Sequence, residues 1–176
     1  MKDGIVQIGA PVLRQKAKSV PKKEVGSRRV AKLIARMKTA LKKEKFGVAI
    51  AASQVGEPLR IFVVAGRVFE PERKASQKVL GSAKPADKVF INPEIIRLSR
   101  KKKEMTEGCL SVRKKYGFVK RHEKATVRAL DESGDPFIYN GTELLAQIFQ
   151  HECDHLDGVL YVDRAEEIHD EPEKEK

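Results

Sequence analysis

The chain is 176 residues long, 40% hydrophobic and 35% charged, which fits one domain with a single core and a heavily charged surface. No run of eighteen apolar residues is present, and the first twenty residues lack the apolar stretch of a secretory signal, so neither a membrane span nor export is expected. The net charge of +11 is unevenly spread: 14 Lys and Arg against 3 Asp and Glu in 1–46, 19 against 8 in 47–128, and 3 against 14 in 129–176.

In chain order, 5–20 reads as extended, because Pro11 opposes an early helix. Ser27 stands where it can cap a helix over 28–45. Val30, Leu33, Ile34, Met37 and Leu41 recur there at helical spacing, the opposite face is Lys and Arg, and Gly47 would end the helix. Residues 59–65 and 88–98 read as strands, and 66–87 between them reads as a flexible insertion loop. Residues 117–130 alternate well enough for a strand, 131–136 is a turn, and 136–140 returns as the hairpin partner. Thr142 is placed to cap a helix over 143–155, with Leu144, Leu145, Ile148 and Phe149 on its buried side. The acidic 166–176 reads as a disordered tail, which leaves 1–165 as one domain. Strands with two helices and no regular alternation give an α+β fold, with the first helix basic and amphipathic.

The basic face of that helix can steer toward an anionic partner such as RNA. A solvated surface is the plainer reading, since Trp is absent and aromatics are only 6%. The second helix is more informative. His151 and His155 stand at i and i+4, a spacing that lets two imidazoles reach one metal ion. Glu152 sits beside the first of them, where a carboxylate can take a proton from water at the metal. Two ligands do not make a site. The following residues, 155–161 (HLDGVLY), continue one familiar metalloprotease frame but offer Tyr161 where that frame has a third His. Glu166 and Glu167 lie in the acidic tail, and His122 and His169 have no motif around them. Two cysteines cannot make a disulfide framework, and neither is expected to have a disulfide partner. Cys153 turns about 200° away from His151 around the helix and reads as a small buried hydrophobe. Cys109, flanked by Gly108, would complete a sound ligand set with a position left for water, although an ordinary core thiol would look the same.

Three segments together resemble the peptide deformylase family: 47–54 (GVAIAASQ), 107–111 (EGCLS) and 150–155 (QHECDH), in the family's order. Pro11 to Arg14, Ile91-Asn92-Pro93, Arg121 and His155 to Gly158 extend the likeness over about 5–165. The resemblance implies a metalloenzyme that hydrolyses the N-formyl group of formyl-methionine at the start of newly made polypeptides. Its fold would pack antiparallel sheets around the helix that carries the H-E-x-x-H motif. Cys109, His151 and His155 would hold one divalent metal, Fe(II) in most relatives, with Zn, Ni or Co able to replace it. Glu152 would be the general base, and the Gln54 side-chain amide and Leu110 backbone N–H would donate to the oxyanion. Gly47, Val48 and Gly108 would bind the substrate, Val48, Ile50 and Leu144 would shape the methionine pocket, and Glu107 with Arg121 would support the Cys109 loop. The implied location is the cytoplasm of a bacterial-type cell, with an organelle as the alternative. Ribosome association, expected from charge alone, would use the basic face of 28–45.

Four positions depart from the family's pattern. Ala49 replaces its second Gly, Ser53 and Arg113 stand where Pro is common, and Gln147 stands where an apolar pocket residue is usual. Ala49 is harmless if the position asks only for smallness, while Gln147 bears on the strictness of the methionine preference. Competing readings are a metallohydrolase of shifted preference, a ribosome- or RNA-binding module with a structural metal, and a metalloendopeptidase. Glu152 and Gln54 argue against the second, since a structural site needs no base. Tyr161 argues against the third.

Overall fold

Ser27 Oγ accepts a hydrogen bond from the Val30 N–H at 3.3 Å and starts helix α1, Arg28–Lys43. The computed structural model describes residues 4–69 and 85–171. In α1, Val30, Leu33, Ile34, Met37 and Leu41 are buried, packed with Ile50, Ile61, Val63 and Ile91 in one core cluster. The helix stops at Glu44, earlier than Gly47, and a turn closed by Gly47 N–H to Glu44 O (3.1 Å) follows it.

Two antiparallel sheets carry the rest. The larger has five strands: β1 (Ala49–Ala51), β2 (Ile61–Val64), β3 (Lys88–Leu98), β6 (Lys124–Leu130) and β7 (Pro136–Thr142), adjacent in that order. The smaller has three: β4 (Lys102–Cys109), β5 (Val112–His122) and β8 (Ile168–Asp170), also in that order. Helix α2, Glu143–Leu156, lies against the larger sheet. Its Ala146, Phe149, Cys153 and Leu156 pack with Phe62, Phe90 and Val127 in the second core cluster. Burying these aromatic and aliphatic side chains contributes about 1.5–3 kcal/mol each for the larger ones, and it fixes which face of α2 is left for chemistry. The chain leaves the helix through Asp157 and turns at Gly158, whose φ of +76° suits glycine and where a Cβ would lie 2.6 Å from Arg14 O. Among the described residues no helix is long and apolar enough to cross a membrane.

Several expectations need correction. Pro11–Arg14 is a 3-10 turn within the segment read as extended; proline opens it, where a missing N–H leaves nothing unsatisfied. Residues 117–130 are not one strand. The chain breaks at Glu123 into β5 and β6, which belong to different sheets. Strand β4 is not legible in the sequence because Lys102, Lys103 and Glu104 are exposed charges that hide the alternation. The Thr142 side chain makes no capping bond, and Leu144 is 48% exposed, not on the buried side. Gly66–Phe69 is a 3-10 turn, tied to Asp87 Oδ1 by the Gly66 N–H at 2.9 Å; residues 70–84 of the expected loop 66–87 lie outside the described residues. The supposed tail holds β8, which pairs with β5 from Lys115 to Gly117, while 172–176 lie outside the described residues. Gly117 permits that approach, for a Cβ there would stand 2.7 Å from Glu167 O.

Candidate active site

A cleft of about 560 Å³ opens between the two sheets, lined by Val48 and Ala49 on one wall, 106–110 on the other, and α2 residues at its base. Strand β1 is the edge of the larger sheet and β4 the edge of the smaller, so two unpaired strand edges flank the cleft. The N-terminal segment ties the walls together. Val6 N–H bonds Gln54 O (2.9 Å), Ile8 N–H bonds Ser111 O (2.8 Å), and Gln7 Nε2 donates to Leu110 O (3.1 Å).

The cleft brings Cys109, His151 and His155 together, with one ligand atom of each within 4.8 Å of the others. Cys109 Sγ is 3.2 Å from His155 Nε2. In a tetrahedral site with bonds of about 2.1 and 2.3 Å, a nitrogen and a sulfur ligand stand about 3.6 Å apart. The Cys109 to His155 spacing of 3.2 Å lies close to that figure and no pair exceeds 4.8 Å, so the three side chains fit one metal ion. His151 Nδ1 faces Glu107 Oε2 at 2.8 Å, which leaves its Nε2 for a metal. The sulfur also receives Gln54 Nε2–H and Ser111 N–H, both at 3.4 Å.

Charge around the ligands is organised in a chain. Arg121 donates to both Glu107 oxygens (2.6 and 3.0 Å) and to Asp154 Oδ2 (2.6 Å), and Arg164 clamps Asp154 with two bonds of 2.7 Å. Glu107 and Arg121 are 3% and 4% exposed, so this is an interior ion pair. Burial alone would raise the Glu107 carboxyl, but hydrogen bonds from Arg121 and His151 outweigh it and hold it at about 2. Burial lowers His155 well below the ordinary histidine value, with the His151 charge adding to it, and a neutral imidazole is the form that binds metals. Burial pushes Glu152 up to about 7, with His151 opposing the rise. Glu152 is 3% exposed, and its Oε2 has no hydrogen-bond partner. A buried carboxylate without a partner is costly unless a cation or a reacting group faces it. Cys153 sits on the opposite face of α2 from the ligands; burial pushes its thiol to about 12, so it is inert.

Gln54 is set by its own turn. Its Oε1 accepts the Ala51 N–H at 2.8 Å, which turns Nε2 toward Cys109 Sγ and Ser111 Oγ (3.2 Å). Leu110 lines the cleft beside it. The sequence-derived substrate residues divide. Gly47, Val48, Gly108 and Leu144 line the cleft, but Ile50 does not: strand alternation turns it into the α1 core, where it is fully buried. Gly47 has its N–H on Glu44 and its carbonyl on Arg67, so its backbone is already bonded. The Val48 carbonyl accepts the Ala65 N–H at 2.9 Å, which turns the N–H and C=O of Ala49 toward the cleft. Ala49 keeps an ordinary negative φ, so its methyl group imposes no backbone strain.

Three residues of the site were not assigned roles from sequence. Asp154 bridges two arginines, Ser111 touches both Gln54 and Cys109, and Gln150 joins α2 to β5 through His122 N–H (3.0 Å) and His122 O (2.9 Å). All three lie inside the quoted motifs, and that membership was the available signal.

Known proteins share this architecture. The family model described as polypeptide deformylase matches residues 2–171. The chain belongs to that family. The peptide deformylase of Heliobacterium modesticaldum is 39% identical over 172 residues, covering 97% of both chains. Peptide deformylase 1A, chloroplastic/mitochondrial, of Arabidopsis thaliana is 38% identical over 91% of this chain and 60% of its own length. The crystal structure of class I type b peptide deformylase from Acinetobacter baumannii with Met-Ala-Ser bound is 31% identical, with a TM-score of 0.77 over 91% of this chain and 96% of that one. The chain is therefore a hydrolase that removes the N-formyl group from nascent polypeptides, in a family that uses a single divalent metal.

Proposed function

We propose that Cys109, His151 and His155 hold Fe(II) and that Glu152 is the general base of the deformylation. The observation that carries this is the buried Glu152 carboxyl, whose Oε2 has no hydrogen-bond partner, next to a cluster of three potential ligands. A divalent cation there, when bound, acidifies water toward neutral pH and polarises a carbonyl. Glu152 accepts the proton of the attacking water. It then delivers that proton to the amine nitrogen as the formyl C–N bond breaks, releasing formate and a free N-terminus. The Gln54 Nε2–H and Leu110 N–H donate to the oxyanion, a contribution of about 2.7–4 kcal/mol for each donor in comparable sites. Glutamine suits this because it donates without adding charge near the thiolate.

The peptide lies extended between the strand edges, paired with Ala49 on β1 and Gly108 on β4. Leu144 and Val48 contact the methionine side chain. A single catalytic domain of about 1–165 holds all of these groups, and β8 docks on it. The compartment is the cytoplasm or an organelle with bacterial-type translation. Ribosome association uses the basic surface.

Formate release from formyl-Met-Ala-Ser by anaerobically Fe(II)-loaded protein tests the reading, with Glu152→Ala alongside. Rapid release that the substitution abolishes is expected. Equal rates from the two proteins would remove Glu152 from its role, and no release from folded, metal-replete protein would remove the function.

A further inference from the structure

Gln147 stands on α2 one turn before His151, and its side chain lines the cleft between Leu144 and Ile148. Its Nε2 donates to Thr106 O at 2.8 Å. The amide is thus a crossbar from the helix to the cleft-facing edge of β4. That bond settles the orientation of the amide, with nitrogen toward β4 and Oε1 away from it. It uses one of the two Nε2 hydrogens; the second hydrogen and Oε1 have no other hydrogen bond among the described residues. The crossbar also takes the Thr106 carbonyl out of strand pairing, so Gly108, two residues on, is the β4 position left to pair with a peptide.

Distance decides which part of a substrate meets this amide. With the formyl carbon at the Cys109, His151 and His155 cluster, a point one helical turn back is about 5.4 Å away along α2. An unbranched side chain on the first residue spans that interval, whereas the second side chain of an extended peptide points to the opposite side. The first side chain therefore runs past Leu144 and Ile148 and ends at a polar amide. Leu144 is 48% exposed, so the rim of this pocket is wet and the amide is not stranded in hydrocarbon when a thioether lies against it.

We propose that Gln147 is a specificity-determining residue whose Nε2–H donates to an oxygen at the end of the first side chain, so that the enzyme deformylates peptides beginning with formyl-methionine sulfoxide as well as formyl-methionine. The inference rests on the deformylase reading of the site. A sulfoxide oxygen is a strong acceptor that an apolar pocket would have to desolvate without return; here the second amide hydrogen receives it. A thioether is a weak acceptor and gains little from the same contact. Oxidation of an exposed N-terminal methionine supplies the substrate. The reaction is unchanged: water adds to the formyl carbon, the C–N bond breaks, formate leaves, and the sulfoxide is neither reduced nor oxidised.

The test compares kcat/KM for formyl-Met-Ala-Ser and formyl-Met(O)-Ala-Ser, on wild type and on Gln147→Met, which keeps length and volume but has no donor. Wild type is expected to turn over the sulfoxide within about tenfold of the thioether. Gln147→Met is expected to lower that ratio by about a further tenfold, the loss of one hydrogen bond; because it also removes the Thr106 crossbar, which acts on both substrates alike, the ratio and not either rate is the readout. An unchanged ratio in a variant that still deformylates formyl-Met-Ala-Ser overturns the role of Gln147 and leaves the enzyme reading intact. A wild-type sulfoxide rate below a hundredth of the thioether rate overturns the proposal without any variant. Absence of turnover on formyl-Met-Ala-Ser in wild type overturns both readings together.

Discussion

Glu107 serves two donors with one carboxylate: Arg121 through both oxygens and the His151 ring through one. The first bond pair anchors β4 to β5; the second fixes the rotation of the His151 imidazole, one of the three proposed metal ligands. The two functions separate under substitution. Glu107→Gln keeps the shape and a carbonyl for His151 Nδ1–H, but removes the charge that faces Arg121. Arg121 still has Asp154, so the interior cation is not stranded. Metal affinity is expected to fall about 10–100-fold, as for other partners of ligating histidines, with the fold retained. Competition with a chelator of known affinity, alongside circular dichroism, checks both halves. Arg121→Ala is the contrast. It leaves Glu107 facing no guanidinium in a dry site, and breaking such a buried pair costs about 3–5 kcal/mol of stability.

At the scale of elements, the two helices begin differently although both looked capped. Ser27 accepts from the Val30 N–H, whereas the Thr142 side chain makes no such bond and the first helical residue, Glu143, has φ +50°. Ser27→Ala is therefore expected to cost about 0.5–2 kcal/mol and Thr142→Ala little, measured as shifts in urea unfolding midpoint at constant slope. The contrast also shows what the sequence makes legible. Helix α1 is read from spacing because five apolar side chains recur on one face of a helix that packs on one sheet. β3 is read from the apolar run Val89 to Ile91, buried on both faces, and the β6 and β7 segments from alternation that leaves one face more exposed than the other. β4 is not, because its exposed lysines mask the period. The break between β5 and β6 is not either, because both halves alternate and only tertiary pairing assigns them to different sheets. The clustering of Cys109, His151 and His155 is legible from the last two of the three ordered motifs. The Arg164, Asp154 and Arg121 relay is not, since its contacts cross 10 and 33 positions of sequence and depend on how α2 settles against β5.

Over the whole molecule, the acidic last quarter of the sequence folds back onto the basic remainder. Arg14 pairs with Asp163, Lys38 with Glu132, Arg60 with Asp157, Lys115 with Asp170 and Lys120 with Glu166. The linear charge asymmetry is thus largely interleaved in space, and exposed pairs of this kind add little stability each. What the fold leaves without an acidic partner among the described residues matters more for association. On α1, Arg29, Arg36 and Lys38 are paired, but Arg28, Lys32, Lys42 and Lys43 are not, and all four are exposed. If this face meets ribosomal RNA, co-sedimentation with ribosomes should weaken steeply with salt, by about 0.7–0.9 units of log affinity per log unit of salt for each phosphate contact. Reversing Lys32, Lys42 and Lys43 to Glu should then flatten that slope by about 2–3, while turnover of formyl-Met-Ala-Ser stays unchanged because the three side chains lie outside the cleft. A slope that the triple reversal leaves untouched would move the ribosome contact off α1. The tip between β3 and β4 would be the next surface to test, where Arg97, Arg100 and Lys102 are exposed and likewise without acidic partners among the described residues.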